Sequence, residues 1–308
     1  MQPSGHNQPT GAEHLMTHFS LLDLLTLPSP IRIVDLGAMM AGDEVYATLV
    51  ARGGACVTGF EPIPEERERL IRTHPGRRYL PYVVGDGSRR IFHTCRYAPC
   101  SSLYEPDQDV LQRFSGMSGA YEVIGRQEVT TVCLDTLSEL GGCDFLKLDV
   151  QGAELDVFRG ARNLLADVLV IQVEVEFVPF YRGRPLFAEI DLFLRECGFM
   201  LHKLVDVCGR PYQPFRVPNK LAQPMSQILW ADAIYIPAFV RLDSLPPERL
   251  CVLATILHDL FGSIDLCAHV LQLYERHTGL PLRHLYLKRF EHEGEFNVAP
   301  VTIRTWTD

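Results

Sequence analysis

Val34-Asp35-Leu36-Gly37-Ala38-Met39-Met40-Ala41-Gly42 ends a short apolar run that begins at Ile31 and leads into a helical segment. Four to eight apolar residues broken by a glycine fit a strand buried on both faces. Gly37 permits a tight turn and brings bare backbone close to a ligand. The segment after it, Asp43–Ala51, reads as a helix with Asp43 as N-cap.

The alternation continues outward from this turn. Ala55–Phe60 is a second strand. Pro64 opens a helix with Glu65 and Glu66 in its first turn and arginines behind them, the charge order a helix dipole favours. Tyr79–Val84 is a third strand. Residues 87–134 are less regular, with β-like runs at Arg90–Thr94 and Glu128–Cys133 around a short helical stretch near Gln108–Phe114. They read as an insertion between two halves of a sheet. Asp144–Val150, Val168–Phe177, Phe199–Val205 and Gln227–Ile236 complete the strands, with helices at Ala153–Ala161 and Leu186–Cys197. Strand–helix alternation over this length predicts a mainly parallel α/β sheet with helices on both faces. The chain then divides into three regions: a tail with a short helix (1–29, apolar from His14 to Leu27), the α/β domain (30–240) and a helical C-terminal extension (241–308). The extension is a candidate for covering the site or for forming a homodimer.

The 308 residues carry a formal charge of −9, which argues against a broad phosphate-binding surface and so against a nucleic-acid partner. No run approaches the roughly 18–20 apolar residues of a membrane span. Met1–Thr10 lacks a signal-peptide pattern, so a cytoplasmic location is expected. The nine cysteines include no Cys-x-x-Cys pair, which favours free thiols over zinc.

The dinucleotide fingerprint Gly-x-Gly-x-x-Gly is absent, because position 39 is Met. An acid, Asp35, precedes the turn instead, and an acid there suits a cationic ligand such as the amino-acid end of S-adenosylmethionine. Glu61 ends the second strand and is placed to accept from both ribose hydroxyls. Asp86, in Gly85-Asp86-Gly87, is placed for an adenine amino group. An NAD-dependent oxidoreductase is a competing reading, disfavoured by the missing glycine.

Two central strands carry charges where apolar residues belong. In Lys147-Leu148-Asp149-Val150-Gln151 the polar residues share a face, as do Glu174 and Glu176 in Val173–Phe177. Charges buried there must pair or do chemistry. Lys147 bonded to Glu174 in a satisfied network is the structural alternative. The catalytic candidates are Asp149, Lys147, Glu174 and Glu176, with any of the three acids able to take a proton from a hydroxyl acceptor. A divalent metal held by those three carboxylates is a further reading, since oxygen ligands suit magnesium. His93 and His202 read as structural.

Taken together, Val34–Ala38, Gly59-Phe60-Glu61-Pro62, Ser101–Pro106, Leu146–Leu155, Val173–Phe177 and Gly198-Phe199 resemble the FkbM family of methyltransferases over residues 31–205. Lys147-x-Asp149-x-x-Gly152-x-Glu154 is the most specific piece. The resemblance implies a class I methyltransferase fold, a Rossmann-like seven-stranded sheet, with S-adenosyl-L-methionine as cofactor. It also implies O-methylation of a small-molecule, sugar, glycan or polyketide-like hydroxyl. It supports Asp35, Gly37 and Glu61 as cofactor residues, with Ala38 and Pro62 beside them, and Asp149 at the reacting centre. Many members carry Glu where this chain has Gln151. A non-catalytic binding or scaffold protein on the same fold is the remaining alternative, against which the retained Lys147, Asp149 and Glu174 argue.

Overall fold

The apolar runs that flank Gly37 in the sequence become the middle of a seven-stranded sheet. The computed structural model describes residues 19–37, 44–217 and 225–291. In chain order its elements are β1 (Ile31–Leu36), α1 (Ala47–Ala51), β2 (Ala55–Phe60), α2 (Pro64–Thr73), β3 (Arg78–Leu80), β4 (Arg89–Cys95), α3 (Gln108–Leu111), β5 (Val123–Thr130) and β6 (Phe145–Leu148). After β6 come α4 (Glu154–Arg159), α5 (Arg162–Leu165), β7 (Val170–Glu176), α6 (Phe187–Glu196), β8 (Phe199–Cys208), β9 (Trp230–Pro237), α7 (Phe239–Asp243), α8 (Pro247–Asp259), α9 (Ile264–Thr278) and α10 (Leu282–Glu291).

The sheet order is β3-β2-β1-β6-β7-β9-β8. Pairs are parallel from β3 to β7, and β9 runs antiparallel to both β7 and β8. The chain thus works outward from β1 to β3, then returns to lay β6 on the other side of β1. Such a reversal leaves a crevice at the carboxyl ends of the two strands, where open α/β sheets bind ligands. β1 has four apolar side chains at 1% exposure or less, as a strand covered on both faces requires. The main core joins these strands to Leu155, Val157 and Phe158 of α4 and Ile190, Phe193 and Leu194 of α6.

Several boundaries differ from the sequence reading. The third strand stops at Leu80, and Tyr82–Val84 form a loop instead. The helix expected at Asp43–Ala51 is the shorter α1, and Asp43 lies outside the described residues, as do Ala38, Met39 and Met40. Of the helix expected over His14–Leu27, positions up to 18 lie outside them, and the remainder holds a 3-10 turn at Leu21–Asp23. The insertion is better organised than its sequence suggests. β4 and β5 form an antiparallel hairpin of their own, with Phe92 opposite Gln127 and Arg90 opposite Val129.

The chain divides into two compact units, residues 30–242 and residues 1–29 with 243–308. The second unit packs α8, α9 and α10 with the segment at Phe19–Leu25. Asp259 accepts from Ser20 Oγ at 2.5 Å and from the Leu21 amide at 2.9 Å. His258 bridges the Tyr286 hydroxyl (3.0 Å) and the Phe19 carbonyl (3.2 Å). α8 is buried on nearly every side, as a helix central to its own core should be. Among the described residues no helix is long and apolar enough to cross a membrane.

Candidate active site

A cavity of about 480 Å³ opens at the reversal point, within the size range of small-molecule sites. Its floor is Leu36 and Gly37 after β1, Phe60 and Glu61 after β2, and Asp149 and Val150 after β6. Its roof is the hairpin, through Phe92, Thr94, Gln127 and Val129, with Leu103 from the following loop. Phe92 and Thr94 alternate with His93, so the hairpin gives the cavity one face, while the His93 backbone bonds Ser102.

Gly37 sits at φ +114°, and a Cβ there would stand 2.5 Å from the Asp149 carbonyl oxygen. Only a glycine lets the two turns approach this closely. Glu61 is 3% exposed and accepts from the Ile63 amide at 2.8 Å. Burial pushes its carboxyl upward, against that hydrogen bond. Pro62 lines the cavity beside it.

Asp35 and Lys147 lie beneath the floor rather than on it. They face each other in the β1–β6 register, with Lys147 Nζ 3.2 Å from Asp35 Oδ1. The Tyr46 hydroxyl donates to the other oxygen at 2.5 Å. Lys147 is therefore the partner of Asp35, not of Glu174. Burial pulls the Lys147 ammonium down, but Asp35 and Asp149 outweigh it and the net shift is upward. Both Asp35 oxygens already hold protein donors.

Asp149 reaches the cavity, and Gln151 reaches it beside Asp149. Gln151 adopts φ +52°, a left-handed conformation unusual for a residue with a side chain. Its Nε2 donates to Asp149 Oδ1 at 2.7 Å and to Glu174 Oε2 at 2.8 Å. Its Oε1 accepts from the Tyr181 hydroxyl at 2.9 Å, and its backbone carbonyl from Ser102 Oγ at 2.5 Å. Glu174 meets the cavity edge only through this amide. Burial, then Asp149 and Glu176, drive its carboxyl well above the usual range.

Glu176 does not join that group. It pairs with Arg184, whose other amino group lies 3.6 Å from Glu154. Burial pushes Glu176 up to about 8; Arg184 opposes the rise and the like charge of Glu154 adds to it. Glu154 in turn accepts from the Val150 and Gly152 amides, which fixes the turn that carries Gln151. Asp86 is exposed outside the cavity, where it accepts from the Ser88 amide and hydroxyl. That hydroxyl, above all, holds its carboxyl below the usual range. Among the described residues no three His, Cys, Asp or Glu side chains converge as metal ligands would, so the three-carboxylate metal set does not form there.

The model of the methyltransferase FkbM domain matches residues 35–201. The chain belongs to the FkbM methyltransferase family. Over 200 residues it is 30% identical to the 2-O-methyltransferase NoeI of Sinorhizobium fredii, a match covering 61% of this chain and 80% of that one. Among solved structures it is similar to methyltransferase FkbM from Methylobacillus flagellatus KT, at 15% identity and TM-score 0.36. That match covers 70% of this chain and 45% of the other. A TehB-like SAM-dependent methyltransferase from Corynebacterium glutamicum matches at 13% identity and TM-score 0.30, covering 70% and 85%.

Several contributors to the site escaped the sequence reading. Asp232 of β9 lies in register with Glu174 and accepts from Gln172 Nε2 at 2.5 Å; it breaks an apolar strand, as Lys147 does, and that signal was legible. Phe92 and Val129 sit in strands whose pairing with each other, and whose place over the cavity, no local pattern in the sequence announces. Arg184 gave no signal, since its turn looks like any solvated loop.

Proposed function

We propose that this chain transfers a methyl group from S-adenosylmethionine to a hydroxyl oxygen of a small molecule, sugar, glycan or polyketide-like product. The observation that carries the reading is the cavity bounded by bare backbone at Gly37, a buried acid at Glu61 and a carboxylate at Asp149. Gly37 lets its turn close on the Asp149 turn, and the two together present backbone to the cavity where the cofactor would lie. Glu61 would accept from ribose hydroxyls, and Pro62 with the hairpin residues Phe92 and Val129 would bound the apolar base. The cofactor, when bound, supplies a methyl already activated by its sulfonium.

The chain's own part is positioning and proton removal. Asp149 lines the cavity at the end of β6 and would orient the acceptor hydroxyl. The Asp35–Lys147 pair would hold the floor and lend polar character below the amino-acid end. NoeI, named as a 2-O-methyltransferase, supports oxygen as the atom methylated.

Calorimetry with S-adenosylmethionine and S-adenosylhomocysteine tests this directly. Saturable binding of both is expected, and absence of both overturns the proposal. Glu61→Ala should weaken binding by about 10- to 100-fold, the worth of one or two charge-assisted hydrogen bonds. An unchanged affinity would remove Glu61 from the ribose.

A further inference from the structure

Glu174 stands among an excess of acids. Its electrostatic neighbours are Asp149 just after β6, Glu176 on its own strand, Glu154 of α4 and Asp232 of β9. Arg184, from the loop after β7, is shared between Glu154 and Glu176. Lys147 is committed to Asp35. The remaining neighbours, Tyr121, Tyr181 and Cys100, are neutral, and burial keeps them so. Gln151 Nε2, with one hydrogen for each of Asp149 and Glu174, is the link that keeps these two carboxyls together.

Asp149 and Glu174 share one amide donor in an enclosed site, and burial with the like charges around it raises the proton affinity of Glu174. We propose that the Asp149–Gln151–Glu174 unit stores one proton on Glu174 while the cavity is empty and gives it up when a positively charged methyl donor binds. The unit then stands ready as the base for the acceptor hydroxyl. This rests on the methyl-transfer reading above and assigns the proton within it.

The charge balance fits. A unit positive charge a few ångströms from a carboxyl lowers its proton affinity by roughly 1 to 3 pH units. Asp149, at the cavity wall, is the member of the unit that such a charge would meet first. On transfer the acceptor oxygen forms a bond to the methyl carbon, and the carbon–sulfur bond breaks with its electron pair left on sulfur. The donor's positive charge is thereby lost, and the hydroxyl proton passes to the carboxyl unit, which returns to its resting form. Burial at Glu174 makes that return favourable.

The test counts protons on binding, without turnover. The full chain is titrated with S-adenosylmethionine and, separately, with the neutral S-adenosylhomocysteine near pH 7 in two buffers of different ionisation heat. Release of roughly half to one proton is expected with the first ligand and none with the second. Glu174→Gln should abolish the release. Equal release with both ligands, or binding of the cation with no release, overturns the assignment, and the wild-type comparison alone decides this if the variant does not fold. Release that persists in a folded Glu174→Gln chain places the proton elsewhere and also overturns it. Failure of either ligand to bind at all overturns the methyl-transfer reading itself, a distinguishable result.

Discussion

Gly37 and Asp149 come from turns 112 residues apart along the chain and share a single contact surface. At φ +114° a side chain is strained whatever the space, and here the space is taken as well. Gly37→Ala should therefore cost about 1–3 kcal/mol of stability, seen as a lower urea midpoint. It should also weaken S-adenosylhomocysteine binding, because the turn would move toward the cavity. Asp232 gives a pH prediction of definite sign. Burial raises its carboxyl to about 6 from 3.8, with Gln172 opposing and Asp149 adding to the rise. The folded chain then holds a proton that the unfolded chain has released. Its contribution to stability is full below about 3.8 and is lost as pH climbs to about 6. Asp232→Asn should flatten the stability curve across that window, a difference growing to at most about 3 kcal/mol. Parallel curves for the two proteins, in urea melts from pH 4 upward, would contradict it.

The hairpin of β4 and β5 shows what an element adds beyond its residues. Its cavity face is anchored at Arg90, which pairs with Asp156 of α4 at 3.0 Å and stacks on the Tyr104 ring. The Tyr104 hydroxyl donates to the same carboxylate at 2.6 Å. Three groups from three elements thus hold the roof down, and Asp156 is only 3% exposed. Arg159 also pairs with Asp156, at 3.2 Å, so loss of Arg90 removes the tie to the hairpin and leaves the carboxylate with its other partners. Arg90→Ala should lower stability by about 1–3 kcal/mol and raise the S-adenosylhomocysteine dissociation constant. Hydrogen exchange at Phe92 and Val129 should quicken relative to β6. If exchange there is unchanged, Arg90 is not what holds the roof.

At the scale of the molecule, the segment from Phe19 to Leu25 belongs to the C-terminal helices although more than two hundred residues separate them in the chain. Asp259 holds it by accepting two hydrogen bonds. Asp259→Ala should cost that unit about 1–3 kcal/mol, read as faster exchange at Leu21, Leu24 and Leu25. The periodic apolar stripe after Pro246 announced these helices, but nothing in residues 19–25 announced their partner.

Period and composition by themselves determined the strands on either side of Gly37, the mainly parallel sheet and the misplaced charges at 147, 149, 174 and 176. A buried parallel strand must be apolar on both faces, so each exception is visible at once. They also set Gly37, Glu61 and Asp149 at strand ends, which an open α/β sheet brings together, and the three line one cavity. Only the tertiary structure decided who pairs with whom. Lys147 went to Asp35 because those two positions lie in register across adjacent strands, which no linear spacing encodes. Glu176 went to Arg184 and Asp86 went to solvent, through turns whose course depends on packing far along the chain. The cavity's roof was hidden for the same reason. Its two strands lie far apart in the chain, and what they cover is set by tertiary contacts rather than by local pattern.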